Sequence, residues 1–440
     1  MKLCQKAFMT LFLVAVTMLL VLSPVEAEPT SLTLSESIVL ALENSPTLKV
    51  AEAAKEKSVW TLNQARAYQG FTVNYTFTGL RTTQPPYQYT LKPVHPYEYY
   101  SHQVKLQLPI YTGGKVENNI KAAKLGREIA DLSVTATKQQ LVLSVTTAYF
   151  NTLHAYNLAD VAQQSVTTLE AHLKNVQNHY EAGAASWSDV LQTQVRLANA
   201  RNVLIKAQNT CQFARYKLNK EIGLSLHNDA KLSEDLSYEP LTLTLDKSVD
   251  TALAHRPEIT QAKLKVAMAG AKEEVAYSDT RPTVGLVAMN TWDEKQWPGT
   301  ENSKWAVGMI VQMNIFDNGL TESQIRQSRQ DVVSAKEQAR QVIDNVTLDV
   351  SQAYLGVREA AERITNNQVA VHQAETDYRL TLERYENGIG TNLDVMDAEV
   401  AMTRAKTNYI QALYDYKNSR TQLDKAMGIV NETYERQNKH

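Results

Sequence analysis

Hydrophobic and polar positions along this chain follow two different periods, and the switches between them divide it. Leu141, Val145, Ala148, Thr152, Ala155, Ala159, Ala162, Val166, Leu169, Leu173, Val176 and Tyr180 keep strict 4,3 spacing, the seam of a coiled coil. The same seam returns 205 positions later as Val346, Val350, Ala353, Val357, Ala360, Ile364, Asn367, Val371, Ala374, Tyr378, Thr381 and Tyr385. All twelve prolines lie at or before Pro109 or between Pro240 and Pro298, so nothing interrupts a helix in either seam. A helix from Lys115 to about Tyr180 is roughly 100 Å long at 1.5 Å per residue. Such a rod needs a partner. Tyr180-Glu181-Ala182-Gly183 followed by Ser186-x-x-Asp189, and Tyr385-Glu386-Asn387-Gly388 followed by Thr391-x-x-Asp394, read as a glycine stop and a capping-box restart. The next helices, about 187–222 and 392–427, therefore fold back as antiparallel partners.

The duplication extends upstream. Leu32-Thr33-Leu34, Ala41-Leu42 and Pro46 recur as Leu243-Thr244-Leu245, Ala252-Leu253 and Pro257 at an offset of 211. The change of offset falls between Ala65 and Ile110, where a loop of variable length belongs. There the period becomes two. Phe71, Val73, Tyr75 and Phe77 alternate with Thr72, Asn74, Thr76 and Thr78, and His102, Val104, Leu106, Leu108 and Ile110 with Ser101, Gln103, Lys105 and Gln107. These predict strands at about 71–80 and 99–111. Trp305 to Ile315 predicts a strand at about 303–316. The weakly alternating Thr283 to Trp292 is assigned to 283–292 partly by its place in the repeat.

A half-buried soluble sheet has the same alternation. Tyr97, Tyr99, Tyr100, Tyr111, Trp292 and Phe316 at the strand ends, however, form the aromatic girdle of a membrane barrel. The connecting loops, Tyr/Pro-rich from Gln84 to Pro96 and polar from Asp293 to Asn302, suit an exterior surface. A sheet exposed to lipid must close, because each unpaired backbone group in hydrocarbon costs several kcal/mol. Four strands do not close, and single-chain barrels begin at about eight. The barrel is shared between chains, and strand arithmetic allows two, three or four copies.

Composition narrows the class. With 16 glycines and 12 prolines in 440 residues the chain is poor in both, as a mostly helical molecule requires. A formal charge of -2 gives no basic footprint for nucleic acid. Lys2, Lys6, the apolar Ala7–Leu22 and Val25-Glu26-Ala27 read as an export signal over 1–27. Apart from that run, a mean hydropathy of -0.35 leaves no candidate for a spanning helix. Cys4 falls within the signal, so Cys211 stands alone and no intrachain disulfide forms. The chain divides into the signal 1–27, a first repeat 28–222 with its hairpin tip at 181–189, a linker 223–242, a second repeat 243–428 with its tip at 386–394, and a tail 429–440.

Signal, duplicated halves, paired strands, coiled-coil hairpins and the twice-occurring Tyr-x-x-Gly-x-x-x-x-x-Asp-Val turn together resemble the TolC family of outer-membrane efflux and secretion channels. The resemblance covers essentially the whole mature sequence. It implies a mainly α fold with a membrane β-barrel portion, in which a homotrimer completes a twelve-strand barrel and an α-helical tunnel. Leu224–Thr244 and Ile429–His440 join a belt around its middle. It also implies an outer-membrane location reaching into the periplasm, and a lipid bilayer, a periplasmic membrane-fusion adaptor and an inner-membrane pump or ABC transporter as partners.

Mapped by motif, Gly183, Ser186, Asp189, Val190, Gly388, Thr391, Asp394 and Val395 are the adaptor-docking tips, although capping alone accounts for several of them. Capping does not need Asp397, which lies one turn from Asp394 where the first repeat has Gln192. The resemblance places Asp394 and Asp397 at the closed tunnel mouth. Six carboxylates from three chains would there repel one another, raise some of their pKa values and form a candidate cation ring. Tyr385 matches the family's gate tyrosine, and Ser188 and Asp189 its neighbours; the tyrosine fits the seam equally well. The family's gate arginine falls on Gly390.

An enzyme reading lacks support, since no HExxH, P-loop or GxGxxG occurs and no cofactor is implied. His172 and His179, seven apart, read as one exposed stripe. A periplasmic spacer or adhesin accounts for the rods and not for the girdled strands. A conduit has no pocket from which to read a substrate.

Overall fold

The computed structural model of the protein describes residues 32–82, 97–229 and 231–430. The expected signal, the Gln84–Pro96 loop, the side chain of Tyr97 and the last ten residues of the tail lie outside the described residues. Each half starts with two short helices, α1 (Leu34–Asn44) and α2 (Pro46–Ala67) in the first, α5 (Leu245–His255) and α6 (Pro257–Ser278) in the second. Thr33 and Glu36 close a capping box on α1, and Ser45 caps α2, whose first residue is the pre-organised Pro46. Strands β1 (Thr72–Thr82) and β2 (Tyr97–Tyr111) follow in the first half, β3 (Thr283–Glu294) and β4 (Ser303–Gln312) in the second. The hairpins are α3 (Lys115–Glu181) with α4 (Trp187–Ile222), and α7 (Leu320–Glu386) with α8 (Asn392–Ala426). Helices α3 and α7 are each 67 residues, hence about 100 Å long.

The four strands form one antiparallel meander in the order β1-β2-β3-β4. On one face stand Val73, Tyr75 and Phe77, continued across the register by Val104 and Leu106 and at the far edge by Trp305 and Val307. Val73, Tyr75, Phe77, Trp305 and Val307 are all exposed among the described residues, an apolar wall. β1 and β4 are both edges. The alternation that predicts a strand to Phe316 outruns the pairing, because β3 begins at Thr283, whose partner is Gln312. β4 therefore stops four residues early, and Ile315 is 93 % exposed. β3 runs two residues past the expected Trp292 to Glu294.

Below the sheet, α3 packs against α2, α4, α6 and α8, so it is the spine of the protomer. The main core lies at mid-height, where Ile38 of α1, Tyr149 of α3, Leu218 and Ile222 of α4, Val350 and Val357 of α7, and Leu423 of α8 are sealed from water. The linker closes this level. Leu32 pairs with Leu232 in a single parallel bridge, and the Tyr149 hydroxyl donates to the Leu32 carbonyl at 3.0 Å. The seams of both halves bury their central positions, so α3 and α7 are held by packing along their length. No helix among the described residues is long and apolar enough to cross a membrane.

Candidate functional site

The far ends of the two hairpins lie side by side around a small core of Val176, Val190, Tyr385 and Val395. In the first tip Gly183 takes φ +74°, a left-handed position that Gly occupies without strain, and its N–H returns to the Tyr180 carbonyl at 2.9 Å. Ser186 then restarts the chain. Its hydroxyl accepts from the Asp189 N–H at 3.2 Å, and the Asp189 carboxylate accepts from the Ser186 N–H at 3.0 Å and Oγ at 2.7 Å. The second tip repeats this with Gly388 at φ +72°, Thr391 and Asp394. Asp394 Oδ2 accepts from Thr391 Oγ1 at 2.6 Å and from its N–H at 3.1 Å, bonds that hold the carboxyl below its usual range. Asp serves here because its short arm still spans a capping box.

Each candidate gate residue has a definite place. Tyr385 is buried, its ring 5.3 Å from those of His172 and His179, and its hydroxyl has no hydrogen-bond partner among the described residues. Burial, and secondarily the Asp189 carboxylate, push its phenol upward. The tyrosine is thus a seam residue within this chain and is not bonded to Ser188 or Asp189. Ser188 is exposed and accepts only a long 3.4 Å bond from Gln192. Asp397 points to water and lies 3.7 Å from Arg196 Nη2 of α4. Within one chain Asp394 is held by its cap, and Asp397 has only the exposed ion pair with Arg196. Gly390 sits where the turn closes tightest. Its N–H returns to the Arg384 carbonyl at 3.2 Å, and a Cβ there would stand 3.2 Å from the Tyr385 nitrogen. A side chain at this position would push on backbone.

The residues that tie the hairpins together are others. His172 is 2 % exposed, so it is no part of an exposed stripe; it faces α8, not solvent. Its Nε2 lies 2.8 Å from Asn392 Oδ1. Asn392 Nδ2 donates to the Asp189 carbonyl and to Thr193 Oγ1, both at 3.2 Å. Higher up the same α3–α8 contact, Ser165 Oγ donates to Glu399 Oε1 at 2.5 Å, His154 stacks on Tyr414 at 4.7 Å, and Thr147 donates to Asn418 at 3.1 Å. Between the apolar cores at the tip and at mid-height, the contact between hairpins carries a ladder of polar rungs. One signal in the sequence pointed to it: Asn392 and His172 occupy repeat positions held in the other copy by Trp187 and Asp377.

No group of three or more His, Cys, Asp or Glu side chains among the described residues is placed to hold a metal ion. The arrangement has polar caps and a shared core at the tips and an apolar four-stranded wall at the other end. The profile of one family, described as "outer membrane efflux protein", matches residues 37–224 and 248–429, the two structural halves. The chain belongs to the outer membrane efflux protein family. Membership places it in the outer membrane with its helical part extending into the periplasm.

Other members and solved structures agree with the assignment. The alkaline protease secretion protein AprF of Pseudomonas aeruginosa is 24 % identical over 89 % of this chain and 84 % of its own length. The outer membrane protein TolC of Escherichia coli K12 is 22 % identical over 69 % of this chain and 64 % of itself, so the alignment spans just under two thirds of that relative. The solved outer membrane protein VceC of Vibrio cholerae superposes with a TM-score of 0.79 at 20 % identity, over 90 % of this chain and 96 % of that one. The outer-membrane channel OprN superposes at 0.80 with 19 % identity, over 90 % of this chain and 89 % of that one. These likenesses fix the fold of this family member: a mainly helical chain with four antiparallel strands.

Proposed function

We propose that the protein is one subunit of a homotrimeric exit channel, with a twelve-strand barrel in the outer membrane and an α-helical tunnel through the periplasm, and without catalytic activity. One observation carries this reading. The sheet has an exposed apolar face and two unpaired edges, so it can lie in lipid only when other copies supply the missing neighbours. The tips, Gly183–Val190 and Gly388–Val395, are where a periplasmic membrane-fusion adaptor docks and through it an inner-membrane pump or ABC transporter. A groove of about 450 Å³ between α4 and α8, lined by Leu191, Val195, Leu393 and Met396, offers an apolar surface there. Asp394 and Asp397 from three copies form the mouth, Asp394 kept ionised by its cap bonds and Asp397 exposed beside Arg196.

Both efflux and type I secretion are compatible with such a conduit: the family is described as efflux proteins, and AprF is a protease secretion protein. Specificity is set by the pump and not by a pocket in this chain. The test is reconstitution. The detergent-solubilised protein is expected to elute with the mass of three chains and to produce stepwise conductance in planar bilayers. A monodisperse single copy in plain buffer with no affinity for bilayers would overturn the reading.

A further inference from the structure

The rung at His172 is buried, spans both hairpins, and is chemically unbalanced. Asn392 Nδ2 points at the Asp189 carbonyl, which can only accept, so the amide is oriented with Oδ1 toward the imidazole. Nε2 must then carry the proton and donate it. That leaves Nδ1 as a bare lone pair, sealed from water and without a hydrogen-bond partner among the described residues. A second proton could be placed only on Nδ1, where it would be an unpaired buried cation. Nε2 donates to Asn392 in either form, so the sealed Nδ1 is what opposes the charge and sets it against the closed latch.

The surroundings do not rescue the charged form. From α7, Tyr385 offers a ring edge-on and Glu386 a carboxylate that is exposed and already accepts from Asn175 Nδ2 at 3.2 Å. From α4, Thr193 binds Asn392, and the Asp189 carboxylate is closed on Ser186. From α8 comes Asn392 itself, and on α3 His179 lies against the opposite part of Tyr385. Burial outweighs both the Asn392 hydrogen bond and Glu386, which favour the charged form, so the imidazole is held below its ordinary value of 6.5.

We propose that His172 is the gating residue of this chain: neutral, it latches the first hairpin to the second at the tip, and protonated, it releases them and loosens the tunnel mouth. This rests on the channel reading above, and it moves the hold within a protomer from Tyr385 and Asp189 to His172 and Asn392. Once parted, the imidazole meets water and titrates near 6.5. The released state therefore binds a proton that the latched state refuses, and the latched-to-released ratio falls up to about tenfold for each pH unit below 6.5, until the latched imidazole itself titrates.

The experiment uses the full-length protein in planar bilayers, with the helical side acidified from pH 7.5 to 5.5. Wild type is expected to open progressively. His172→Gln, which keeps a donor near the Nε2 position and cannot titrate, is expected to hold one open probability throughout. Asn392→Asp should invert the response, because a carboxylate opposite Nε2 stabilises the imidazolium and acid then tightens the latch. A conducting wild type indifferent to pH over this range, or a His172→Gln channel that keeps the wild-type response, overturns the proposal. If His172→Gln does not fold, the direction of the Asn392→Asp response decides. Amide exchange in the first turn of α8, corrected for the intrinsic pH dependence, reads the same latch without conduction. Acid-dependent deprotection in wild type and not in His172→Gln supports the latch even where conductance is absent, an outcome that refutes only the channel reading.

Discussion

Asp424, near the end of α8, sits in the mid-height core beside a cavity of about 200 Å³ lined by Ile38, Phe150, Glu239 and Val430. It is 6 % exposed, and its Oδ1 has no hydrogen-bond partner among the described residues; Arg420 Nε stands 3.5 Å away without hydrogen-bond geometry. Burial pushes its carboxyl from 3.8 up to about 6, against the pull of Arg420. In the unfolded chain the proton leaves near 3.8, in the folded chain only near 6. Between those values the folded state holds the extra proton, so stability falls as pH rises through the window, and above it the whole penalty remains. A shift of about 2 units at 1.36 kcal/mol each is about 3 kcal/mol. Asp424→Asn keeps the shape and removes the charge. At pH 7.5 it should gain up to about 3 kcal/mol, a rise of roughly 5 °C in the apparent melting temperature of the detergent-solubilised protein. At pH 4, where wild-type Asp424 is neutral when folded, the two should melt almost together. A variant that melts lower than wild type at pH 7.5, or that gains equally at both pH values, refutes the assignment of the penalty to this carboxyl.

Other expectations are simpler. Ser186→Ala and Thr391→Ala should each cost about 1 kcal/mol by removing a cap, seen as faster amide exchange in the first turn of α4 or α8 with the mid-height core unchanged. Gly388→Ala meets no atom within 4 Å of its new Cβ, so its cost of about 1 kcal/mol is backbone strain at φ +72°, and Gly388→Asn should recover part of it in thermal melts. Leu169→Ala, in the α3–α4 seam, should cost about 2–5 kcal/mol in the same melts. Asp397→Asn should lower cation selectivity, measured as reversal potential across a salt gradient, while leaving the cap at Asp394 intact. An unchanged potential would remove Asp397 from the mouth.

The features legible in the sequence are those that repeat. The α3 and α7 seams stood out because coiled-coil spacing is local, and the second copy checked the first. The wall of Val73, Tyr75, Phe77, Trp305 and Val307 was visible as period two. The end of β4 was not, because alternation continues to Phe316 while pairing depends on where β3 begins, a fact of register and not of composition. The α3–α8 ladder was hidden for another reason. A single stripe on α3 explains its contact with α4, but the helix has a second contact, and His172 lies just off the seam between Leu169 and Leu173. Its polarity reads as solvent exposure until the second hairpin is in place. Tyr385 fell on both the seam and the gate patterns, and only its burial and its unbonded hydroxyl separate the two within the chain.

The free rims of β1 and β4 have a kinetic consequence. On the proposed shared barrel, a lone copy would have no low-energy route into hydrocarbon, so insertion would wait on encounter and its rate should climb faster than linearly with the amount of chain delivered to the membrane surface. Until that meeting each copy would carry two sticky borders, and scarcity would favour its capture by chaperones or proteases over its arrival.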